Sequence, residues 1–429
     1  MESCKLNVEH DTHIHLENKK VSRHYFLFLM IMYAVVYMTK NCFNAALADI
    51  KAEGIFTASE AGLITAVFYL VYTPLQIVGG FVADKYSPEL MVKIGLIGGA
   101  VANAIIFLNQ NYYVMLVVWT LNAVVQFALW PSTYKIITSQ LCRSDRSYMI
   151  FFISMASTFG LLFSYVSAAL LPSWEYNFAL SAALLMILAV VMHFLDGNLN
   201  KFVKPDSEPI MDNKSAVKGY SGSTLSLFVK SGFIILLVPI IVRCIVGQAS
   251  KTMAPLMMLE LFGTDASVGN LLNTFIIISG LAGTLMVKLV LYPRIIKNEL
   301  LGFLVMMSAT LAAAIALIFV PNVTMTVIVL CVLSMFATAA TLFASYFYAT
   351  YTKYGKNGTA AGIGNAAASF GIVLLNYVFV KLSEVFDWTA VRIIWASLVA
   401  LAVVLILVVI LINRRFLSKE SQKFSPNNE

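Results

Sequence analysis

Runs of about twenty mostly apolar residues recur along the chain, and a helix of that length crosses the hydrocarbon core of a bilayer. They start near Tyr25, Ala61, Leu90, Tyr112, Tyr148 and Tyr176, then resume near Gly232, Val268, Leu300, Thr324, Thr359 and Thr389. Lipid offers no partner to a backbone N–H or C=O, so spans of this length must be helices. The pattern predicts an all-α membrane protein with twelve transmembrane helices. Composition agrees: of 429 residues, 60% are hydrophobic and only 12% charged, where soluble domains carry about a quarter.

A polar stretch separates the sixth run from the seventh and holds Lys201, Lys204, Pro205, Asp206, Pro209, Asp212, Lys214 and Lys218. The chain therefore divides into an N-terminal tail (1–24), a six-helix bundle (25–196), a linker (197–222), a second six-helix bundle (223–413) and a C-terminal tail (414–429). Net charge is +7. Most basic residues fall in short loops, where they set topology rather than attract nucleic acid. Lys19, Lys20, Arg23, Lys85, Arg143, Arg146, the linker lysines, Arg294, Lys297, Lys353, Lys356, Arg414, Arg415 and Lys419 share one side. That side is expected to be cytoplasmic and to hold both termini. Lys51, Lys381 and Arg392 are exceptions on the opposite side.

The polar tail carries no signal peptide. Its His10, His13 and His15 read as part of a disordered segment rather than a metal site. Cys4, Cys42, Cys142, Cys244 and Cys331 have no CxxC spacing and read as small core residues. No metal or cofactor is expected. No HExxH, Ser/His/Asp grouping or nucleotide loop is present, so an enzyme is disfavoured. Gly95, Gly98 and Gly99 lie within a span and read as close helix packing.

Charge in the middle of a span is costly and marks function by default. Lys40 sits deep in span one, with Tyr33 and Tyr37 at i−7 and i−3 on the same helical face. An ammonium among phenol hydroxyls makes an anion site. Span seven holds Arg243 and Lys251, eight residues apart around Gly247. Pro239 and Pro255 flank them and predict a bent or broken helix. The planar fork of Arg243 suits a phosphate or carboxylate, and Lys251 either joins it or snorkels outward. Span four offers Gln126, with Asn122, Trp130 and Lys135 around it. Span two offers Tyr72 and Gln76. Asn365 and Asn376 read as glue between helices. Asp49, Glu60, Glu260 and Glu384 fall near span ends, so the mid-membrane charge is net positive. That favours an anionic solute over a cationic drug.

The segment Gly80-Phe-Val-Ala-Asp84-Lys85-Tyr-Ser-Pro88 resembles the signature loop of the major facilitator superfamily, and Arg146 falls where that family has a basic partner for the loop. The resemblance implies the major facilitator fold, with Asp84, Lys85 and Arg146 bracing a cytoplasmic gate. Tyr33-Ala-Val-Val-Tyr37-Met-Thr-Lys40-Asn-Cys-Phe43 is similar to the first span of the organophosphate:phosphate antiporters. Lys40 takes the place of that family's phosphate-binding arginine. Tyr33, Tyr37 and Tyr72 fall on its site tyrosines, and Gln126-Phe-Ala-Leu-Trp130-Pro131 is similar to its span four. Gly280-Leu-Ala-Gly283-Thr284 and Gly358-Thr-Ala-Ala-Gly362 also match. There are departures. Gly247 stands where the family has its second arginine, Gln76 where it has a lysine and Ser157 where it has a histidine. The stretch Val290-Leu291-Tyr292 lacks the second gate's Asp.

The resemblance implies a secondary transporter of the plasma (inner) membrane, acting as a monomer by alternating access. It would exchange a small organophosphate for inorganic phosphate. Lys40 and Arg243 would hold the anion, and Tyr33, Tyr37, Tyr72 and Gln126 would orient it. Arg243 lies one turn before and Lys251 one turn after the family's span-seven arginine position, and either, or neither, supplies its charge. Two alternatives stay open: ion-coupled symport of a non-phosphorylated anion, and a nutrient sensor on the same fold.

Overall fold

The computed structural model describes residues 14–16, 19–139, 141, 146–199, 203–205, 223–292, 294–354 and 356–424. The first half contains α1 (Lys19–Lys40), α2 (Cys42–Glu53), α3 (Ala58–Lys85), α4 (Pro88–Leu108), α5 (Tyr112–Gln126), α6 (Leu129–Ser139), α7 (Arg146–Leu170) and α8 (Glu175–Leu199). After a short α9 (Thr224–Lys230), the second half contains α10 (Phe233–Thr252), α11 (Ala254–Phe262), α12 (Ala266–Met286), α13 (Glu299–Ile318), α14 (Val323–Ala349), α15 (Asn357–Leu374), α16 (Val380–Val385) and α17 (Trp388–Phe424). Eleven helical segments among the described residues are long and apolar enough to cross a membrane. A twelfth, α7, carries the shorter apolar stretch Met155–Leu170.

Helix starts are set by loop residues. Thr57 and Glu60 cap α3 reciprocally, and Ser87 caps α4 just before Pro88. Asn111, Asn298 and Asn322 do the same for α5, α13 and α14. Each cap closes orphan N–H groups at the membrane surface.

Some boundaries differ from expectation. The first helix begins at Lys19, because a helix need not stop where the bilayer does. The last runs to Phe424, since no glycine or proline interrupts it before Pro426. The expected disordered tail is corrected at one place: Ile14–Leu16 pairs antiparallel with Val203–Pro205, so three tail residues are tied to the linker. His15 lies in that strand, whereas His10 and His13 lie outside the described residues.

Within the first half α1 packs on α7 and α4 on α8. Within the second, α14 is flanked by α12 and α13, and α13 by α17. Across the halves, α7 meets α12 and α3 meets α15. The exceptions to the charge rule are each accounted for locally. Lys51 pairs with Glu260. Arg392 donates to the carbonyls of Leu317 and Trp388 at 3.0 and 3.1 Å. Lys381 lies 5.9 Å from the centre of the Tyr377 ring.

Candidate functional site

Helix α1 stops at Lys40. Asn41 leaves the helical conformation, its side-chain amide donates to Tyr37 O at 2.7 Å, and the chain resumes as α2. Lys40 thus sits at a helix C-terminus, where the macrodipole favours a cation. It is 2% exposed. Its Nζ donates to the Tyr72 hydroxyl at 2.8 Å and lies 4.1 Å from the Tyr72 ring centre and 5.4 Å from that of Tyr37. The close approach of α7 to α1 needs Gly160, because a Cβ there would lie 2.2 Å from Ala34 O.

Span seven breaks in the expected region. The turn at Met253 separates α10 from α11, and Pro255 occupies the first turn of α11. Arg243 Nη1 donates to Thr341 Oγ1 at 2.6 Å, and Lys251 Nζ donates to Thr338 Oγ1 at 2.7 Å. The Nε of Arg243 is buried without a partner. Asn273, from α12, donates its amide to Lys251 O and steadies the end of α10.

A cavity of about 440 Å³ lies between the halves, within the usual size of a small-molecule site. Tyr33, Tyr37, Tyr69, Tyr72 and Trp130 line one wall, and Arg243, Lys251, Thr338, Thr341 and Asn365 the other. The Lys40 amine sits behind the tyrosine wall, against Tyr72. Tyr33 packs at a tilt against Tyr37 and Trp130, with ring centres 5.0 and 4.9 Å away. Gly247 and Ser157, two of the departures from the resembled family, line the same space. Gln126 is not brought to the wall. It is fully buried, and its amide donates to Asn122 Oδ1 at 2.8 Å. Asp84 and Lys85 fall at the end of α3 and Arg146 at the start of α7. Their side chains, and that of Gln76, lie outside the described residues.

Sequence reasoning missed Tyr69, Thr338 and Thr341. Tyr69 carried a signal, since it lies three residues before Tyr72 on one helical face. The two threonines carried none, because small polar residues are ordinary within membrane helices. Among the described residues, Lys40, Arg243 and Lys251 form no ion pair, and no cluster of metal-binding side chains occurs. The lining of the cavity therefore carries cations and, among the described residues, no acidic side chain.

The face opposite the termini is closed. There Lys51 of α2 pairs with Glu260 of α11, which also accepts from Trp388 Nε1 at 2.8 Å. Ser59 N donates to Glu384 at 2.9 Å, and Asn270 of α12 donates to Ala45 O at 3.1 Å. Gly62 of α3 lies so near Asn376 O that a Cβ would stand 2.0 Å from it.

The sequence model for the Major Facilitator Superfamily matches residues 29–375. Among curated proteins, the membrane sensor protein UhpC of Escherichia coli is 32% identical over 124 residues, which is 29% of this chain and 28% of that protein. UhpC of Salmonella typhimurium is 29% identical over 171 residues, 40% of this chain and 39% of that protein. The glycerol-3-phosphate transporter of Bacillus subtilis is 23% identical over 185 residues, 41% and 40% of the two chains. The chain thus aligns with well under half the length of these relatives. Among solved structures, the nucleoside transporter NupG superposes with a TM-score of 0.69 at 14% identity, covering 90% of this chain and 98% of that one. A bacterial homologue of the human lysosomal transporter Spinster, inward-facing and unoccupied, gives 0.66 at 15% identity, covering 94% and 98%.

Proposed function

The chain belongs to the major facilitator superfamily, and from that premise we propose that it is a secondary transporter of a small organic anion. The leading solute is an organophosphate, exchanged for inorganic phosphate by alternating access. One observation carries this reading: a cavity between the halves gathers Arg243 and Lys251 on one wall, has the Lys40 amine behind the other, and offers none of them an ion-pair partner among the described residues. Buried cations left without counter-charge are stabilised by an anion that enters from outside. Tyr33, Tyr37 and Tyr72 shape the wall around it, and a monomer suffices. The protein resides in the plasma (inner) membrane with both termini cytoplasmic, following the loop charges. The closed face is then the outer one. Asp84, Lys85 and Arg146 serve the cytoplasmic gate.

Counterflow tests the reading. Proteoliposomes loaded with inorganic phosphate are offered labelled glycerol phosphate and hexose phosphate, with Lys40→Ala and Arg243→Ala beside the parent. Uptake is expected to require internal phosphate and to collapse in both variants. No phosphate-dependent uptake by folded protein would move the assignment to non-phosphorylated anions driven by an ion gradient.

The similarity to two membrane sensor proteins favours a second reading, a sensor that binds the same anion without moving it. The tie between the tail at Ile14–Leu16 and the linker at Val203–Pro205 gives such a sensor a cytoplasmic structure through which to report. Solute binding by calorimetry with no counterflow at any gradient would establish it in place of transport.

A further inference from the structure

Gly247 of α10 stands at the position where the resembled family places a cation, and it lets α14 approach closely, since a Cβ there would lie 3.1 Å from Ala337 Cβ. The two flanking cations, one turn to either side, reach toward α14 around this close approach. Arg243 and Lys251 are eight residues apart, so about 12 Å separates them along the helix axis. Their partners, Thr341 and Thr338, are three residues apart on α14, a spacing that puts side chains about 5–6 Å from one another. The charged ends are therefore drawn together onto one turn of a facing helix. Gly280 of α12 makes room for this, since a Cβ there would lie 2.9 Å from Thr338 Oγ1 and 3.2 Å from Lys251 Cε.

The two threonines differ from others in the same bundle. Thr310, Thr326 and Thr284 donate their hydroxyl protons to carbonyls one turn back, on Met306, Asn322 and Gly280. Thr338 and Thr341 accept from the cations and donate to no described group. Their protons, the buried Nε–H of Arg243 and the remaining ammonium protons of Lys251 form a dense set of donors beside one cavity.

We propose that Arg243 and Lys251 act as one composite receptor on the Thr338–Thr341 turn, and that the two hydroxyls select a tetrahedral, doubly charged head, a phosphate monoester, over a planar carboxylate. This rests on the organophosphate reading above. A phosphoryl head has three terminal oxygens, with two or more lone pairs each, and two charges to satisfy. The turn supplies two cations and five donors, namely two hydroxyls, the Arg243 Nε–H and two ammonium protons of Lys251. A carboxylate has two oxygens and one charge and leaves part of the set unmet.

Calorimetry on the purified full chain in lipid nanodiscs tests the proposal, with glycerol phosphate and glycerate as the two probes. The parent is expected to prefer glycerol phosphate. Thr338→Val with Thr341→Val should weaken glycerol phosphate binding by roughly tenfold per hydroxyl, while glycerate changes little. Thr338→Ser with Thr341→Ser should keep the preference, which separates a hydroxyl role from packing. Arg243→Gln and Lys251→Gln should be non-additive in a double-mutant cycle, as expected of two groups on one head. Equal weakening of both probes in the valine variants, or strict additivity of the two glutamine variants, overturns the proposal and leaves organophosphate transport standing. A parent that binds glycerate as tightly as glycerol phosphate overturns it too. A parent that binds neither probe, and no hexose phosphate either, removes the organophosphate reading and this receptor with it.

Discussion

A lysine amine in the bilayer interior needs acceptors for three protons, and Lys40 is given few. The Tyr72 hydroxyl accepts one, and the Tyr72 ring face lies 4.1 Å away. A desolvated cation over an aromatic face gains about 2 kcal/mol, and a hydrogen bond from a charged donor about 1.5–3 kcal/mol. Tyr72→Phe separates these two contributions: it keeps the ring and removes the hydroxyl. The expected result is an apparent affinity for the solute about tenfold weaker, with maximal flux nearly unchanged, read from the concentration dependence of counterflow. Tyr72→Ala should weaken it further. An unaltered affinity in Tyr72→Phe would show that the hydroxyl does not position the amine. Lys40 and its tyrosines were legible in the sequence because a charge deep in an apolar run stands out, and helical spacing assigns its neighbours. Gln126 looked equally placed by spacing. Its rotation toward Asn122 and away from the cavity depends on the helix that packs against it, which no local pattern encodes.

Spans one and seven both break where their cations sit, yet only one break was written in advance. Pro255 forbids continuous hydrogen bonding across Met253 and so marks the α10–α11 junction. No proline stands at Asn41. There the side chain takes over the Tyr37 carbonyl, and α7 presses against α1 through Gly160. The register of α1 near Lys40 is thus held by a contact between residues more than a hundred positions apart. Gly160→Val would drive a side chain into Ala34 O and the Tyr37 Cβ, and overpacking of this kind costs about 1–3 kcal/mol. The expected outcome is a lower unfolding temperature together with loss of transport, because Lys40 shifts with its helix. Gly54→Ala is the control: it is an exposed glycine with nothing within 4 Å, so its strain is confined to a loop with φ of 67°. Full transport in a stable Gly160→Val variant would mean that α1 is not held from this side.

At the scale of the whole molecule, the twelve-span, two-bundle outline follows from counting apolar runs, whereas the direction in which the halves are tilted does not. That direction depends on pairings such as Lys51 with Glu260, separated by 209 residues, which sequence periodicity cannot connect. In an alternating-access carrier such a pair belongs to one state alone, so its energy enters the balance between states directly. Lys51 and Glu260 are 35% and 18% exposed, and a pair so placed is worth about 0.2–1 kcal/mol. Glu260→Gln removes the charge and keeps an acceptor for Trp388, which isolates the ionic part. The population open at this face should rise by roughly twofold to fivefold. Spin labels on the exposed Ala52 and Asp265, one on each side of the closed face, would report it as a new longer-distance component. Salt should produce the same component in the parent and little further change in the variant, since screening weakens the ion pair and leaves the apolar contacts alone. An unchanged distance distribution in Glu260→Gln would assign closure to the uncharged contacts, chiefly Gly62 against Asn376 and Asn270 against Ala45. Gly62→Val would then be the variant that opens the face.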